Sequence, residues 1–205
     1  MLRAHEFDHA CPGFSLWQAY DPKCKADLFS TALEIPAGTY LVDPIPLGEA
    51  ALSSLRSLRK PVGIFITNGN HVRAAADFAS SFSVPILAHE SLRGSPDIPQ
   101  ATWLQDGQII ADGLTAIAID GAPLGEIAIH YNANGGSMIF GDALINFEPY
   151  GFSFLPDKYC ENSKLMHRSL RKLLDYVFER MLFAHGTPIL SNGQARLVEL
   201  LNTVR

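Results

Sequence analysis

The most constraining feature of the sequence is a junction at residues 64–78, where an apolar strand ends and a helix-patterned segment begins. Residues 62–67 are almost entirely apolar and rich in β-branched side chains, a pattern typical of a strand covered on both faces. The polar side chains Asn68, Asn70, His71 and Arg73 follow at once, which is more than a helix cap requires. This strand needs a layer on each side of its sheet, and the polar turn predicts a site at its end.

Short strands and helices are predicted on both sides of this junction. Before it, the pattern favours strands over residues 14–20, 28–35 and 38–44 and a helix over 47–58. After it, the pattern favours a helix over 71–83, a strand over 84–89, and then several short strands separated by the hairpin signals Asp106-Gly107, Asp112-Gly113 and Asn134-Gly135-Gly136. Two further amphipathic helices are predicted, over residues 162–181 and 194–204.

Strands in both halves, with helices outside them, predict two sheets packed together and covered on each side. The expected fold is therefore an α+β four-layer αββα sandwich. We expect a single domain over residues 1–205, because no internal repeat or linker-like composition divides the chain. Residues 147–159 have five aromatic side chains in an irregular segment, which should pack at the mouth of a pocket or against a second subunit. The segment therefore allows a homodimer.

Composition excludes several classes of function. A net charge of -5 and an isoelectric point near 5.8 argue against nucleic acid as a partner. No apolar run reaches the roughly 18 residues that a membrane span requires, and the first residues have no signal-peptide pattern, so we expect a cytoplasmic protein. Cys11, Cys24 and Cys160 have no C-x-x-C spacing, which argues against a disulfide framework and a zinc knuckle.

Six segments, in this order and spacing, resemble one known family. They are Leu41-Val42-Asp43, residues 64–73, residues 104–107, residues 119–126, Phe140-Gly141-Asp142 and residues 182–186. Together they resemble the metallo-β-lactamase-fold superfamily over roughly residues 14–189. The resemblance implies an αββα fold whose strand ends line a cleft, with a substrate specificity that comes from loops such as residues 147–159.

The metal-binding motif of that family is degenerate in this chain. The family motif T-H-x-H-x-D-H falls on residues 67–73, and only the bridging Asp142 and the last histidine, His185, retain family metal ligands. The replaced positions are Asn68 and Asn70 for the two leading histidines, Val72 for the aspartate, Arg73 for the closing histidine and Ala122 for a later histidine. Two good ligands are too few for zinc, and a guanidinium opposes a dication.

We therefore expect no metal, and predict a metal-free pseudoenzyme or a scaffold that binds an unknown small molecule. In this hypothesis an ion pair between Arg73 and Asp142 replaces the metal, because an unpaired buried carboxylate is costly. The expected ligand-binding side chains line the same junction or the neighbouring strand end: Asn68, Asn70, His71, Arg73 and Asp43. Of these, His71 is expected to be a hydrogen-bonding residue rather than a catalytic one.

The alternative is an active hydrolase, and the sequence leaves open whether the protein is an enzyme. In one version a single zinc or other divalent metal is held by Asp142, His185, Asn68 and Asn70. In the other version no metal is needed, and His185 paired with Asp142 activates water as the catalytic pair.

Overall fold

A computed structural model describes residues 2–204 of the chain. The first sheet has seven strands arranged in chain order: β1 (Asp8–Cys11), β2 (Phe14–Asp21), β3 (Ala26–Ile35), β4 (Gly38–Val42), β5 (Pro61–Ile66), β6 (Ile86–His89) and β7 (Thr102–Leu104). Its helices are α1 (Glu49–Ser57), between β4 and β5, and α2 (Ala75–Phe82), between β5 and β6. The chain crosses from strand to helix and back, so β4 to β7 run parallel.

The second sheet has five strands: β8 (Gln108–Ala111), β9 (Leu114–Ala118), β10 (Ile127–Tyr131), β11 (Ser137–Phe140) and β14 (Arg180–Phe183), in the order β14-β11-β10-β9-β8. A separate hairpin is formed by β12 (Leu144–Phe147) and β13 (Gly151–Phe154). The remaining helices are α3 (Ser163–Leu170) and α4 (Gly193–Asn202). Strand β14 pairs with β11 in parallel, so their carboxyl ends point the same way.

Three hydrophobic clusters define the layers. One lies between the two sheets and joins side chains such as Phe65 of β5 and Ile129 of β10. A second lies between the first sheet and its helices, and contains Leu55 of α1 and Phe78 of α2. A third covers the outer face of the second sheet with residues of α3 and α4, including Leu170. Alternate residues of a strand face opposite layers, and the four-layer αββα sandwich predicted from the sequence is confirmed.

Two predicted elements differ from the structure for reasons of tertiary packing. The helix predicted over residues 162–181 is wrong in its second half. Helix α3 ends at Leu170, a 3₁₀ turn covers Arg171–Asp175, and residues from Arg180 onward form β14. Pairing with β11 outweighs the helical spacing of the apolar residues, since the same side chains can also face a sheet.

The aromatic segment at residues 147–159 contains more regular structure than predicted. Strand β13 lies within it and pairs with β12, and a 3₁₀ turn follows at Asp157–Tyr159. Helix α2 also begins four residues later than predicted, because residues 68–74 form the polar turn that positions the candidate site. Within residues 2–204, none of the helices has the length and apolar character needed to cross a membrane.

Candidate metal and ligand site

The candidate site lies where four strands end. Asp43 follows β4, Thr67 follows β5, Asp142 lies two residues after β11, and His185 lies two residues after β14. Because β4 and β5 are parallel, as are β11 and β14, each pair delivers its carboxyl ends to one edge of its sheet. The two edges meet, and side chains from distant parts of the chain converge there.

Three side chains form a compact group at this place: His71, Asp142 and His185. Asp142 Oδ1 lies 3.1 Å from His71 Nε2 and 3.3 Å from His185 Nε2. All three ligand atoms lie within 4.8 Å of one another, so one ion could contact all of them. His71 and Asp142 are buried, whereas the His185 side chain is 15% exposed. The group is thus reached from one side.

Each imidazole is oriented through its other nitrogen. His71 Nδ1 lies 3.0 Å from Asp43 Oδ2, and His185 Nδ1 lies 3.2 Å from the carbonyl oxygen of Asp27. Both partners are acceptors, so both Nδ1 atoms carry the proton, and the Nε2 atoms of the neutral rings present lone pairs to Asp142. Two lone pairs facing a carboxylate repel it unless a cation or a proton lies between them. The donor set therefore fits one metal ion.

In the metal-free protein a proton on His71 relieves the repulsion between His71 and Asp142. Burial lowers the pKa of His71, but the charge of Asp142, supported by Asp43, outweighs burial and the repulsion from Arg73, and raises this pKa to about 9. Burial also opposes the charge of Asp142, yet His71 holds the Asp142 pKa well below its usual range. Burial, with the charges of His71 and Arg73, lowers the pKa of His185 to about 4, so this ring stays neutral. An imidazolium and a carboxylate thus face each other.

Asp43 holds the polar turn against the strand end. Its Oδ1 accepts a hydrogen bond from Thr67 N at 2.8 Å, and its Oδ2 accepts from Thr67 Oγ1 at 2.5 Å as well as from His71. Asp43 has a positive φ of 49°, and it is 1% exposed. Three hydrogen bonds to a buried carboxylate keep the His71 ring at a defined angle, as the outer partners of metal-binding histidines do.

The other oxygen of Asp142 faces a second group that is closed by hydrogen bonds. Asn68 Nδ2 donates to Asp142 Oδ2 at 3.1 Å and to Glu126 Oε2 at 2.6 Å, while Asn68 Oδ1 accepts from Asn70 N at 2.9 Å. Glu126 Oε1 accepts from Ala143 N at 2.9 Å. The amide group of Asn68 thus bridges two carboxyl groups, and its oxygen is already used by the backbone.

Glu126 is a site residue that sequence reasoning missed. It is 3% exposed, and burial together with the charge of Asp142 raises its pKa to about 8. Gly141 makes room for it, since a Cβ there would lie 2.8 Å from Glu126 Oε1 and 2.5 Å from Thr67 Oγ1. The available signal was a single acidic residue directly before the buried strand β10, where a carboxyl group needs a partner.

The predicted ion pair between Arg73 and Asp142 is wrong. Arg73 Nη1 donates to the carbonyl oxygens of Phe29 at 2.5 Å and Asp43 at 2.9 Å, and Nη2 donates to that of Ala184 at 3.5 Å. Asp142 is paired with His71 and His185, and Arg73 forms no ion pair within residues 2–204. A guanidinium has five N–H donors in a fixed fork, which suits several carbonyl groups at once, so Arg73 joins β3 to the residues that follow β4 and β14.

A cleft of about 1110 Å³ opens over this group. The structure places Asn70, His71, Arg73, Asp142 and His185 in its lining, whereas Asn68 and Asp43 lie buried behind them. Asn70 is exposed, and its contact with the group is a backbone hydrogen bond to Asn68. The alternative metal ligands predicted from the sequence were Asp142, His185, Asn68 and Asn70. The group in the structure contains Asp142 and His185, with His71 instead of the two asparagines.

The aromatic segment lines the same cleft. Phe147, Tyr150 and Tyr159 are among its lining residues, and the Phe147 ring lies 6.4 Å from that of His185. Of the two positions predicted for this segment, the structure supports the mouth of a pocket. Contact with a second subunit remains a prediction.

Comparison with known proteins identifies relatives of this fold. A family model described as the metallo-beta-lactamase superfamily matches residues 8–204. Among solved structures, DIM-1 metallo-beta-lactamase aligns at a TM-score of 0.75 with 12% identity, covering 99% of both chains. A metallo-beta-lactamase from Pontibacter korlensis aligns at 0.74 with 12% identity, covering 100% of both chains.

A third solved structure is FIM-1 from Pseudomonas aeruginosa in a mono-zinc form. It aligns at a TM-score of 0.69 with 10% identity, and the match covers 97% of this chain and 95% of FIM-1. At such identities the structural likeness concerns the fold alone. No curated protein matches the chain.

Proposed function

Because the chain belongs to the metallo-beta-lactamase superfamily, we propose that it is a hydrolase-type protein that holds a single divalent metal ion at His71, Asp142 and His185. The observation that carries this proposal is the convergence of two imidazole Nε2 atoms on Asp142 Oδ1, at 3.1 and 3.3 Å. Three protein ligands with one open side are typical of a catalytic rather than a structural metal site.

The second metal position of a dinuclear site does not fit this chain. The group beside Asp142 Oδ2 is occupied by the Asn68 amide and the Glu126 carboxyl group, and histidines are absent from both motif positions 68 and 70. Neutral amide oxygens are weak zinc ligands, and the oxygen of Asn68 already accepts a hydrogen bond from Asn70 N. The mono-zinc form in which FIM-1 was crystallised agrees with the capacity of this fold for one metal.

A divalent ion held by these three residues would supply Lewis-acid polarisation of a substrate carbonyl. The chain's own residues would do the positioning. Asp43 keeps His71 in one orientation, Asn68 holds Asp142, and the cleft admits a small molecule from the side of His185. Substrates are expected to be small molecules rather than nucleic acids, since the chain is acidic.

Metal content tests the proposal directly. After expression with zinc, manganese or iron, elemental analysis should find about one equivalent in the wild-type protein and almost none in His71→Ala, Asp142→Asn or His185→Ala. His89→Gln is the matched control, because His89 is bonded to Ser91 and lies outside both the ligand group and the cleft lining. Either an empty wild-type protein or about two equivalents would overturn the single-metal site.

Activity is a second readout. A panel of activated esters, thioesters and lactones should include at least one compound that the metal-loaded protein hydrolyses and the chelated protein does not. Asp142→Asn should abolish that hydrolysis, and His89→Gln should retain it. A metal-loaded protein that hydrolyses nothing, yet binds ligands, would limit the proposal to metal binding.

A second candidate function is a metal-free scaffold that binds a small molecule. The observation in its favour is that Asp142 is partnered without any ion, because protonated His71 donates to its Oδ1 and Asn68 donates to its Oδ2. If metal analysis finds none, shifts in thermal stability with a panel of small metabolites test this candidate. A homodimer through residues 147–159 is a separate proposal, and the molar mass in solution measured by light scattering tests it.

A further inference from the structure

The tight turn between β2 and β3 forms part of the wall of the cleft. Strands β2 and β3 stay paired up to Asp21 and Ala26, so residues 22–25 close a short hairpin. Two hydrogen bonds stiffen it: Lys23 N donates to Asp21 Oδ1 at 2.9 Å, and Lys25 N donates to Asp21 O at 2.8 Å. Lys25 has a positive φ of 56°, as such turns require. The backbone of the turn therefore has a defined conformation at the wall of the cleft.

Two ammonium groups on this turn have no partner among residues 2–204. Lys23 and Lys25 are exposed and line the cleft. Neither side chain forms a hydrogen bond or ion pair with any of residues 2–204, whereas Lys172 elsewhere on the surface lies 3.0 Å from Asp106. Of the acidic lining residues, Asp21 is bonded to the turn and Asp142 to the histidines, and Glu148 remains as an exposed carboxylate.

A different part of the cleft is apolar and aromatic. Phe147 and Tyr150 meet edge to face with ring centroids 5.6 Å apart, and Leu155 and Tyr159 line the cleft as well. Tyr150 is 56% exposed and Tyr159 is 59% exposed, so their rings are uncovered in this part of the cleft. Exposed aromatic rings that face a cavity offer a surface to a flat apolar group of a ligand.

We propose that Lys23 and Lys25 form an anion subsite, and that the ligand of the cleft is a small molecule with one anionic group joined to a flat apolar body. The anion lies at the β2–β3 turn and the apolar body lies against Phe147, Tyr150 and Tyr159. This inference deepens the proposed function, because it names the substrate class of the same cleft, and it rests on that function only for the reaction. The anion preference itself belongs to the lysines and needs no metal.

Binding of matched probes tests this subsite. Isothermal titration calorimetry is carried out with 4-phenylbutyrate, its neutral amide, 4-phenylbutylamine and butyrate, on chelated wild-type protein at low salt. The anionic phenyl compound should bind most tightly, and the Lys23→Ala plus Lys25→Ala variant should bind it about tenfold more weakly, since two exposed ion contacts are lost. Lys60→Ala plus Lys164→Ala is the control, because it removes the same charge from exposed lysines outside the cleft lining.

Charge reversal gives a sharper result than deletion. The Lys23→Glu plus Lys25→Glu variant should prefer 4-phenylbutylamine to 4-phenylbutyrate, and Glu148→Gln should bind the anion more tightly than wild type. These substitutions lie on exposed positions, so folding is retained, and circular dichroism checks it. Equal affinity for the anion and its amide in wild-type protein, or an unchanged preference after charge reversal, would overturn the subsite.

The outcome is separable from that of the proposed function. If the anion binds only to metal-loaded protein and not to the chelated or His71→Ala protein, the carboxylate is bound by the metal and the lysine subsite is wrong, while the metal site stands. If the anion preference persists in a protein that takes up no metal, the single-metal proposal fails and the subsite stands.

Discussion

The two oxygens of Asp142 face two different environments. Oδ1 faces the Nε2 atoms of two imidazole rings, one of which borders an open cleft, and only a proton or a cation can relieve their repulsion. Oδ2 faces the Asn68 amide, which is closed by Glu126 and by the backbone of Asn70. One carboxylate therefore joins a group able to take a metal to a group that is already complete.

The largest effect should follow from removing the carboxylate that both groups share. Asp142→Ala leaves a buried imidazolium at His71 and an unpaired amide at Asn68, and should destabilise the metal-free protein by about 3–5 kcal/mol. Urea unfolding in the presence of a chelator measures it. Asp142→Asn should cost less, since its amide oxygen can still accept from Asn68. Equal stability of the Ala and Asn variants would contradict this account.

A smaller loss is expected from opening the closed group alone. Glu126→Ala leaves Asn68 Nδ2 and Ala143 N without their acceptor, which should cost about 2 kcal/mol. Glu126→Gln should cost less than Glu126→Ala, because the amide oxygen can keep one of the two bonds, while the amide NH2 group then faces the other donor. Metal uptake should remain in both variants, since the ligand group does not include Glu126. Loss of metal from Glu126→Gln would show that the two groups are not separable.

Arg73 connects the backbone behind both groups, and changing it should have a moderate effect. Arg73→Lys keeps a charge but cannot reach the carbonyl groups of Phe29, Asp43 and Ala184 together, so we expect a loss of about 1 kcal/mol. Asp43 orients His71, and Ala184 directly precedes His185 in the chain. We therefore expect metal affinity to fall as well. Thermal unfolding and competition with a chelating dye measure the two effects, with the exposed Arg56→Lys as control.

The same groups also make the stability of the metal-free protein depend on pH. In metal-free protein His71 has a pKa of about 9 against 6.5 unfolded, so its stabilising contribution is complete below pH 6.5 and is lost as pH rises through 9. Glu126 has a pKa of about 8 in the folded protein against 4.5 in the unfolded chain, so its contribution to stability is lost as the pH rises from 4.5 to 8. Stability should therefore fall with rising pH, by at most about 1.4 kcal/mol per unit for each proton.

Variants separate the two titrations. His71→Gln should remove the loss of stability between pH 8 and 9, and Glu126→Gln should remove the loss at lower pH down to 4.5. Urea unfolding measured across this range provides the curves. A wild-type protein whose stability rises from pH 7 to 9 would contradict the assigned protonation of both groups.

Much of the fold could be predicted from the sequence, and so could the place of the site. These predictions depend on local patterns. The apolar run at residues 62–67 predicted β5, and the glycine-containing hairpin turns predicted the short strands of the second sheet. The polar residues at strand ends predicted the place where Asp43 and His185 lie. The helix predicted over residues 162–181 was wrong in its second half. The local pattern there is compatible with a helix or a strand, and only pairing with β11 makes β14 a strand.

The sequence by itself determined the four-layer fold, and its resemblance to the family predicted that Asn68, Asn70, Arg73 and Ala122 stand at histidine positions while Asp142 and His185 keep their ligand types. Only the tertiary structure decided that His71, a spacer in the motif, points its Nε2 at Asp142, and that Arg73 bonds carbonyl groups instead. Side-chain direction in an irregular turn depends on partners distant in sequence. Asp43, Glu126 and Ala184 supply those partners, and no local pattern specifies where they meet.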